Sequence, residues 1–292
     1  MTGQTQSLTL ANNRTLDLYL GGDPHGQALV MHHGTPSDST TFADWHAICA
    51  TRHIRLICLS RPGYASSPRW QGRLVADIAP LTQAVLDHLG HNNFHTAGWS
   101  GGGPHALACA ALLPDRCRGV AVLAGVGPYG QPDLDFLAGM GPENIEEFNA
   151  SLQGEAALRA WKHAHVESFR TVTGPQLAAA FGGLVPPIDQ AELTGPHAEE
   201  MAAEIRRALA GGFDGWIDDD LAFIRPWGFD LASIKSPTTI WQGDLDLMVP
   251  HQHATWLASN IPGATLHMVA GHGHISLVTR YRAAILDALI GS

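Results

Sequence analysis

The 292-residue chain has only four cysteines, Cys49, Cys58, Cys109 and Cys117. They give neither a C-x-x-C pair nor the dense, even spacing of a disulfide framework. Cys58 and Cys109 fall inside apolar stretches, where a thiol behaves as a small core residue. Basic residues are also scarce, with 17 Lys and Arg against 27 Asp and Glu and a formal net charge of −10. They form no runs, which argues against nucleic acid or an anionic membrane as a partner. No apolar run is long enough to cross a bilayer, and Met1 to Thr9 has neither the basic flank nor the apolar segment of a secretory signal. The expectation is a soluble, cytoplasmic protein. Internal repeats and low-complexity tracts are missing too. Apolar side chains are plentiful: at 45% hydrophobic residues the chain can build a full core.

The first part of the sequence alternates short apolar strands with longer amphipathic stretches, the pattern of a mostly parallel sheet covered by helices. Strands are expected at Leu8–Leu10 and Leu16–Leu20, split by a turn at Asn12-Asn13, then at Ala28–His32, Arg55–Leu59, Phe94–Trp99 and Gly119–Ala124. Helices are expected at Thr41–Ala50, Leu74–Leu89 and Gly103–Leu113. The rhythm stops at Gly127-Pro128. From Pro132 to about Trp227 the chain reads as helix after helix, broken at Gly-Pro and Pro-Pro steps. Strand and helix then alternate again through Thr238–Gln242, His251–Ser259, Thr265–Val269 and Ser276–Leu289. Neither sheet fragment closes a core alone, so the expected organisation is one α/β core, residues 1–131 and 228–292, with a helical insertion over residues 132–227.

Between a strand and a helix stands Gly98-Trp99-Ser100-Gly101-Gly102. A G-x-S-x-G pentad in this context is a nucleophile elbow, a sharp turn that lifts the serine hydroxyl above the sheet. Its glycines keep side chains out of the crowded corner. A serine hydroxyl needs a base and a group to orient that base. Two later loops, each following a strand, contain the right residue types: Asp244 and Asp246 in the first, His272 and His274 in the second. Loops at the carboxyl ends of parallel strands meet on one edge, so these groups can converge on Ser100. Two backbone N–H groups complete an acyl-transfer site, one from Gly101 and one from Thr35 in the loop His32-His33-Gly34-Thr35-Pro36.

With these residues in hand, the chain resembles the α/β-hydrolase superfamily over nearly its whole length, and looks like its cap-bearing esterase, lipase and peptidase branch. The resemblance rests on His33-Gly34-Thr35-Pro36, Arg61-Pro62-Gly63-Tyr64, Gly98-Trp99-Ser100-Gly101-Gly102, Gly243 with Asp246 and Val249-Pro250, and Gly273-His274. Ser60 and Ala65 depart from the family pattern, which often has an aspartate before the Arg-x-Gly turn and a glycine after it. The family register places the acid three residues after the glycine and four before the proline, which implies Asp246 rather than Asp244, left as a turn residue. It implies His274 as the base. Serine rather than a carboxylate at position 100 separates the chain from haloalkane dehalogenases and epoxide hydrolases.

The resemblance implies a cofactor-free serine hydrolase acting on a small carboxylic ester, with lactones and thioesters as close variants. Acyl transfer to an alcohol or peroxide by the same residues, including perhydrolase chemistry, is the alternative. A non-catalytic binding protein on the same scaffold would be expected to have lost part of the triad. The inserted helices should cover Ser100 and shape its pocket, with Trp99, Trp161 and Trp216 as substrate-binding candidates and Phe136, Phe148, Phe169, Phe181 and Phe213 beside them. The pairs His32/His33, His163/His165, His251/His253 and His272/His274 lack the spacing and support of a metal site, so no metal is expected. His251 and His253 read as solvated at a helix start. Asp218-Asp219-Asp220 reads as a solvated face or helix start.

Overall fold

The computed structural model describes residues 3–10 and 13–291. Of the turn expected at Asn12-Asn13, Asn12 lies outside them, and Asn13 has a left-handed φ of 60°. Among the described residues eight strands form one sheet: β1 (Gln4–Thr9), β2 (Thr15–Gly22), β3 (Gln27–His32), β4 (Ile54–Leu59), β5 (Phe94–Trp99), β6 (Cys117–Leu123), β7 (Thr238–Gly243) and β8 (Thr265–Val269). Their order is β1-β2-β4-β3-β5-β6-β7-β8. β2 is antiparallel to β1 and β4, and every other neighbouring pair is parallel. Each expected strand is present. β1 begins four residues earlier than Leu8 because its first four residues, Gln4 to Ser7, form a polar edge segment whose pairing with β2 leaves no apolar pattern to read.

The parallel strands inside the sheet, unlike the edge strand β8, are buried on both faces, and the period of two sorts their side chains. Val30, Ile57 and Leu59 belong to one apolar cluster, whereas Leu29, Met31, Leu56 and Cys58 belong to a second on the opposite face. Helices cover both. After α1 (His46–Thr51) and α2 (Ile78–Leu89) comes α3 (Gly102–Leu112). Its residues Gly102 to Ala111 are all buried, and the run of small side chains lets it press close to β3, β5 and β6.

Between β6 and β7 the chain is helical, with α4 (Pro142–Leu152), α5 (Glu155–His165), α6 (Gly174–Ala180), α7 (Pro187–Glu192), α8 (Gly195–Ala208) and α9 (Asp214–Phe223). All of these helices but α7 share an apolar cluster that includes Leu158, Leu177, Ile205 and Ile217, and Tyr64 enters it from the core. The closing helices are α10 (Gln252–Asn260), α11 (His274–Arg280) and α12 (Arg282–Ile290).

Three expected helices differ. The segment expected at Thr41–Ala50 opens with a 3-10 turn, Ala43–Trp45, before α1, and Leu74–Leu89 opens with another at Val75–Asp77 before α2. The last expected helix, Ser276–Leu289, is two helices that break at Tyr281, where the tyrosine packs against Trp241 and His272.

Candidate active site

Ser100 occupies the turn between β5 and α3 with φ 57°, a left-handed conformation unusual for a residue with a side chain. Its N–H donates to the Leu123 carbonyl at 2.8 Å, and its carbonyl accepts from Gly103 N at 2.9 Å, which pins the turn. A Cβ at Gly98 would strike the Gly102 backbone, and one at Gly102 would strike the His32 carbonyl. Glycine is required at both positions by this close approach.

Asp246 follows β7 and His274 opens α11 after β8. Their contact is His274 Nδ1 to Asp246 Oδ2 at 2.8 Å, with both side chains buried. The carboxyl is held from three further directions. Met248 N and Val249 N each donate to Oδ1 at 2.9 Å, and Gln242 Nε2 donates to Oδ2 at 3.0 Å. Asp244 is exposed, and its Oδ1 accepts from Gly271 N at 2.7 Å, tying the two loops together as a turn residue. His272 bonds the Ala270 carbonyl instead of a carboxylate. Trp99 supports His274 from the nucleophile's side: its Nε1 donates to the His274 carbonyl at 3.2 Å, and the two rings lie 5.2 Å apart.

Gly273 precedes α11 and has no side chain with which to cap it. Asp189, fully buried on α7, accepts from Ile275 N and Ser276 N, both at 2.9 Å, and does so in its place. The sequence carries no signal that this inserted residue reaches the histidine's helix. The sequence signal for Gln242 is a glutamine directly after Ile240 and Trp241 at the end of a strand.

The loop after β3 brings Thr35 beside Gly101; a Cβ on that glycine would collide with the Thr35 side chain and the Phe223 ring. Among the described residues neither the Thr35 nor the Gly101 N–H has a backbone partner. Thr35 Oγ1 donates to Asp219 Oδ2 at 2.8 Å and accepts from Arg61 Nη2 at 3.0 Å. Arg61 also donates to the carbonyls of His33 and Gly34, at 2.5 and 2.8 Å. Asp219 receives Arg61 Nη2 at 2.7 Å, Arg73 Nη2 at 2.6 Å and Tyr64 OH at 2.8 Å. Burial opposes its charge, yet Arg61 and Arg73 hold its pKa well below the usual carboxylate range.

The solvated reading of Asp218-Asp219-Asp220 is therefore wrong. All three are buried, because α9 is wedged between the other inserted helices and the core, and their counter-charges come from distant segments: Arg69 for Asp218 and Lys162 for Asp220, each at 2.8 Å. The solvated reading of His253 fails as well. Its side chain is buried, with Nδ1 accepting from Gly127 N and Nε2 donating to the Phe136 carbonyl, both at 3.0 Å, and burial pushes its pKa down to about 4. His163 bonds Glu167 and His165 stacks on Trp161. Among the described residues no group of three or more His, Cys, Asp or Glu is placed to hold a metal. All four cysteines are free and buried.

Ser100, His274, Thr35 and Gly101 border one cavity of about 320 Å³. Trp99, Trp161 and Trp216 line it, as do Phe148, Phe169 and Phe181. Phe136 and Phe213 do not; they are buried in the apolar clusters, where aromatic side chains in an insertion are as readily used. Phe223 lines the cavity without having been foreseen. Five acidic residues line it, Glu143, Glu146, Glu147, Glu204 and Asp220, and no Lys or Arg among the described residues does. Lys162 lies behind it, with its Nζ 3.5 Å from the centre of the Trp216 ring and ion-paired to Glu147 and Asp220. No helix among the described residues is long and apolar enough to cross a membrane.

A family model described as alpha/beta hydrolase fold matches residues 27–281. Among curated proteins, a 2-hydroxy-6-oxononadienedioate/2-hydroxy-6-oxononatrienedioate hydrolase of Burkholderia vietnamiensis is 27% identical over 253 residues, covering 85% of this chain and 81% of its own. A poly(3-hydroxyalkanoate) depolymerase of Ectopseudomonas oleovorans is 24% identical over 268 residues, covering 90% of this chain and 83% of its own. Among solved structures, a bromoperoxidase from Bacillus anthracis superposes with a TM-score of 0.72 at 20% identity, covering 99% of this chain and 100% of its own.

Proposed function

Because the chain belongs to the family of the alpha/beta hydrolase fold, we propose that it is a serine hydrolase that cleaves a small carboxylic ester through an acyl-enzyme on Ser100. The observation that carries this reading is the strained Ser100 turn in the wall of the same cavity as His274, whose Nδ1 lies 2.8 Å from Asp246. Asp246 fixes the imidazole with Nδ1 protonated, leaving Nε2 free to act as base. Ser100 Oγ attacks the ester carbonyl as its proton passes to Nε2. The N–H groups of Thr35 and Gly101 receive the oxyanion. The tetrahedral intermediate collapses with cleavage of the carbonyl carbon to alkoxy oxygen bond, and His274 returns the proton to the departing alcohol. Water, activated by the same imidazole, then releases the acid.

The depolymerase relative acts on a polyester, which agrees with ester chemistry. The other curated relative is named for a dioate, whereas the lining here includes the exposed acids Glu143 and Glu146 and no Lys or Arg. A neutral acyl group therefore fits this site better than an anionic one. Residues 132–227 serve as a cap that closes the cavity over Ser100. The test is a matched set of neutral and carboxylate-bearing esters on wild type and Ser100→Ala: turnover confined to wild type and to the neutral members is expected, and turnover retained by Ser100→Ala overturns the reading.

A further inference from the structure

A second cavity, of about 250 Å³, adjoins the first, and the mechanism above gives it no task. Trp99, Met201, Glu204 and Ile275 border both cavities. Trp99 and Ile275, the chain neighbours of Ser100 and His274, stand in the partition between the two cavities, and neither Ser100 nor His274 itself borders the second. Phe42, Trp45 and Val278 give the second cavity an apolar side, and Asp44, His197, Glu200 and Arg207 a polar one. We infer that this second cavity is a leaving-group subsite, reached past Met201, for an ester whose alcohol carries a cyclic or aryl body. This rests on the acyl-enzyme reading.

The side of the site decides the assignment. When the tetrahedral intermediate collapses, the alkoxy oxygen takes its proton from His274 Nε2, so the alcohol departs on the histidine's side. Ile275, Val278 and Thr279, all on the helix that His274 opens, border the second cavity, and so does Trp99, whose ring lies against the imidazole. Gly34, Thr35 and Gly101, which flank the oxyanion, border only the first. In the partition, Glu204 is held by Ser37 and by Thr41 Oγ1, the latter at 2.7 Å. Met201 has an unbranched side chain that adapts to what it meets, which makes it the movable part. A cavity of about 150 Å³ suffices to hold benzene, so about 250 Å³ leaves room for a ring.

The experiment reads two ester series, one varying the alcohol from methyl to benzyl on a fixed acetyl group, the other varying the acyl chain on a fixed methyl alcohol. Ala203 and Thr279 border the second cavity alone. Ala203→Trp should lower kcat/KM for benzyl acetate about tenfold or more relative to methyl acetate. It should leave the acyl series and the labelling of Ser100 by a small phosphonate as in wild type. Met201→Ala should shift the benzyl-to-methyl ratio the other way. Thr279→Phe repeats the block from the opposite wall should Ala203→Trp fail to fold. An unchanged alcohol series in a folded, labelled variant overturns the inference, as does an equal effect on the acyl series. Failure of wild type to label at Ser100 overturns the acyl-enzyme reading itself, and the subsite with it.

Discussion

Asp189 caps the helix that begins at His274, accepting from Ser276 N and Ile275 N at 2.9 Å each. The inserted helices therefore do more than line the cavity, since α7 holds the first turn of the helix on which the imidazole is mounted. Asp189→Ala should cost about 1–2 kcal/mol of stability, as lost helix caps do. It should also lower kcat by about tenfold or more with KM little changed, because the histidine's aim and not substrate contact is lost. Asp189→Asn, which keeps an acceptor, should recover much of the rate. A stability loss with kcat intact would reduce Asp189 to a structural cap.

The two carboxylates of the β7 loop separate by role. Asp246→Asn should lower kcat by about 10³–10⁴-fold, since an amide opposite Nδ1 selects the wrong tautomer. Asp244→Asn should stay within a few-fold of wild type, because among the described residues its carboxyl hydrogen-bonds Gly271 N and no histidine. His272→Ala should likewise remain active. Equal losses at the two aspartates in steady-state kinetics would contradict the arrangement.

How far the sequence revealed this site follows from distance along the chain. Ser100, Thr35 and Gly101 sit in local patterns of glycine, proline and strand end, and each strand of the sheet but the polar start of β1 is announced by its own apolar run. Asp246 and His274 needed the family's register to choose them over Asp244 and His272. Asp219 could not be read this way: it lies 158 residues from Arg61, and a run of three aspartates looks solvated until Arg61, Arg69, Arg73 and Lys162 are folded against it. The same applies to Asp189, 87 residues from Ser276.

Asp219 joins α9 to the Thr35 loop through a buried, doubly arginine-paired carboxylate. Removing its charge by Asp219→Asn strands two guanidinium groups and should cost about 3–5 kcal/mol. Chemical denaturation measures this directly, and a loss below about 1 kcal/mol would show that the cluster relaxes or hydrates.

Glu204 predicts a pH effect. Burial raises its pKa from 4.5 to about 8, with Asp38 adding to the rise and the Ser37 and Thr41 hydrogen bonds and Arg207 opposing it. The folded state thus binds an extra proton between these values, so this contribution to stability is complete below about pH 4.5 and is lost as pH rises through about 8. Melting temperatures measured from about pH 5 to about pH 8.5 should fall less steeply for Glu204→Gln than for wild type. Parallel curves would refute the assignment.

Within the cavity, Trp161→Ala should reorder acyl-chain preference through KM while small-phosphonate labelling of Ser100 persists, because a small probe needs little of the pocket. Phe213→Leu, outside the cavity wall, should change stability and not preference. The same preference profile in Trp161→Ala as in wild type would remove that residue from the pocket.

The central claim is that Ser100 is the nucleophile activated by His274, and intact-mass measurement after exposure to a small fluorophosphonate tests it most directly. Wild type should gain one adduct, mapped by peptide sequencing to Ser100. Ser100→Ala should gain none, and His274→Ala should label at least about 10³-fold more slowly while still folded. An adduct on another residue, or undiminished labelling without His274, would contradict the mechanism.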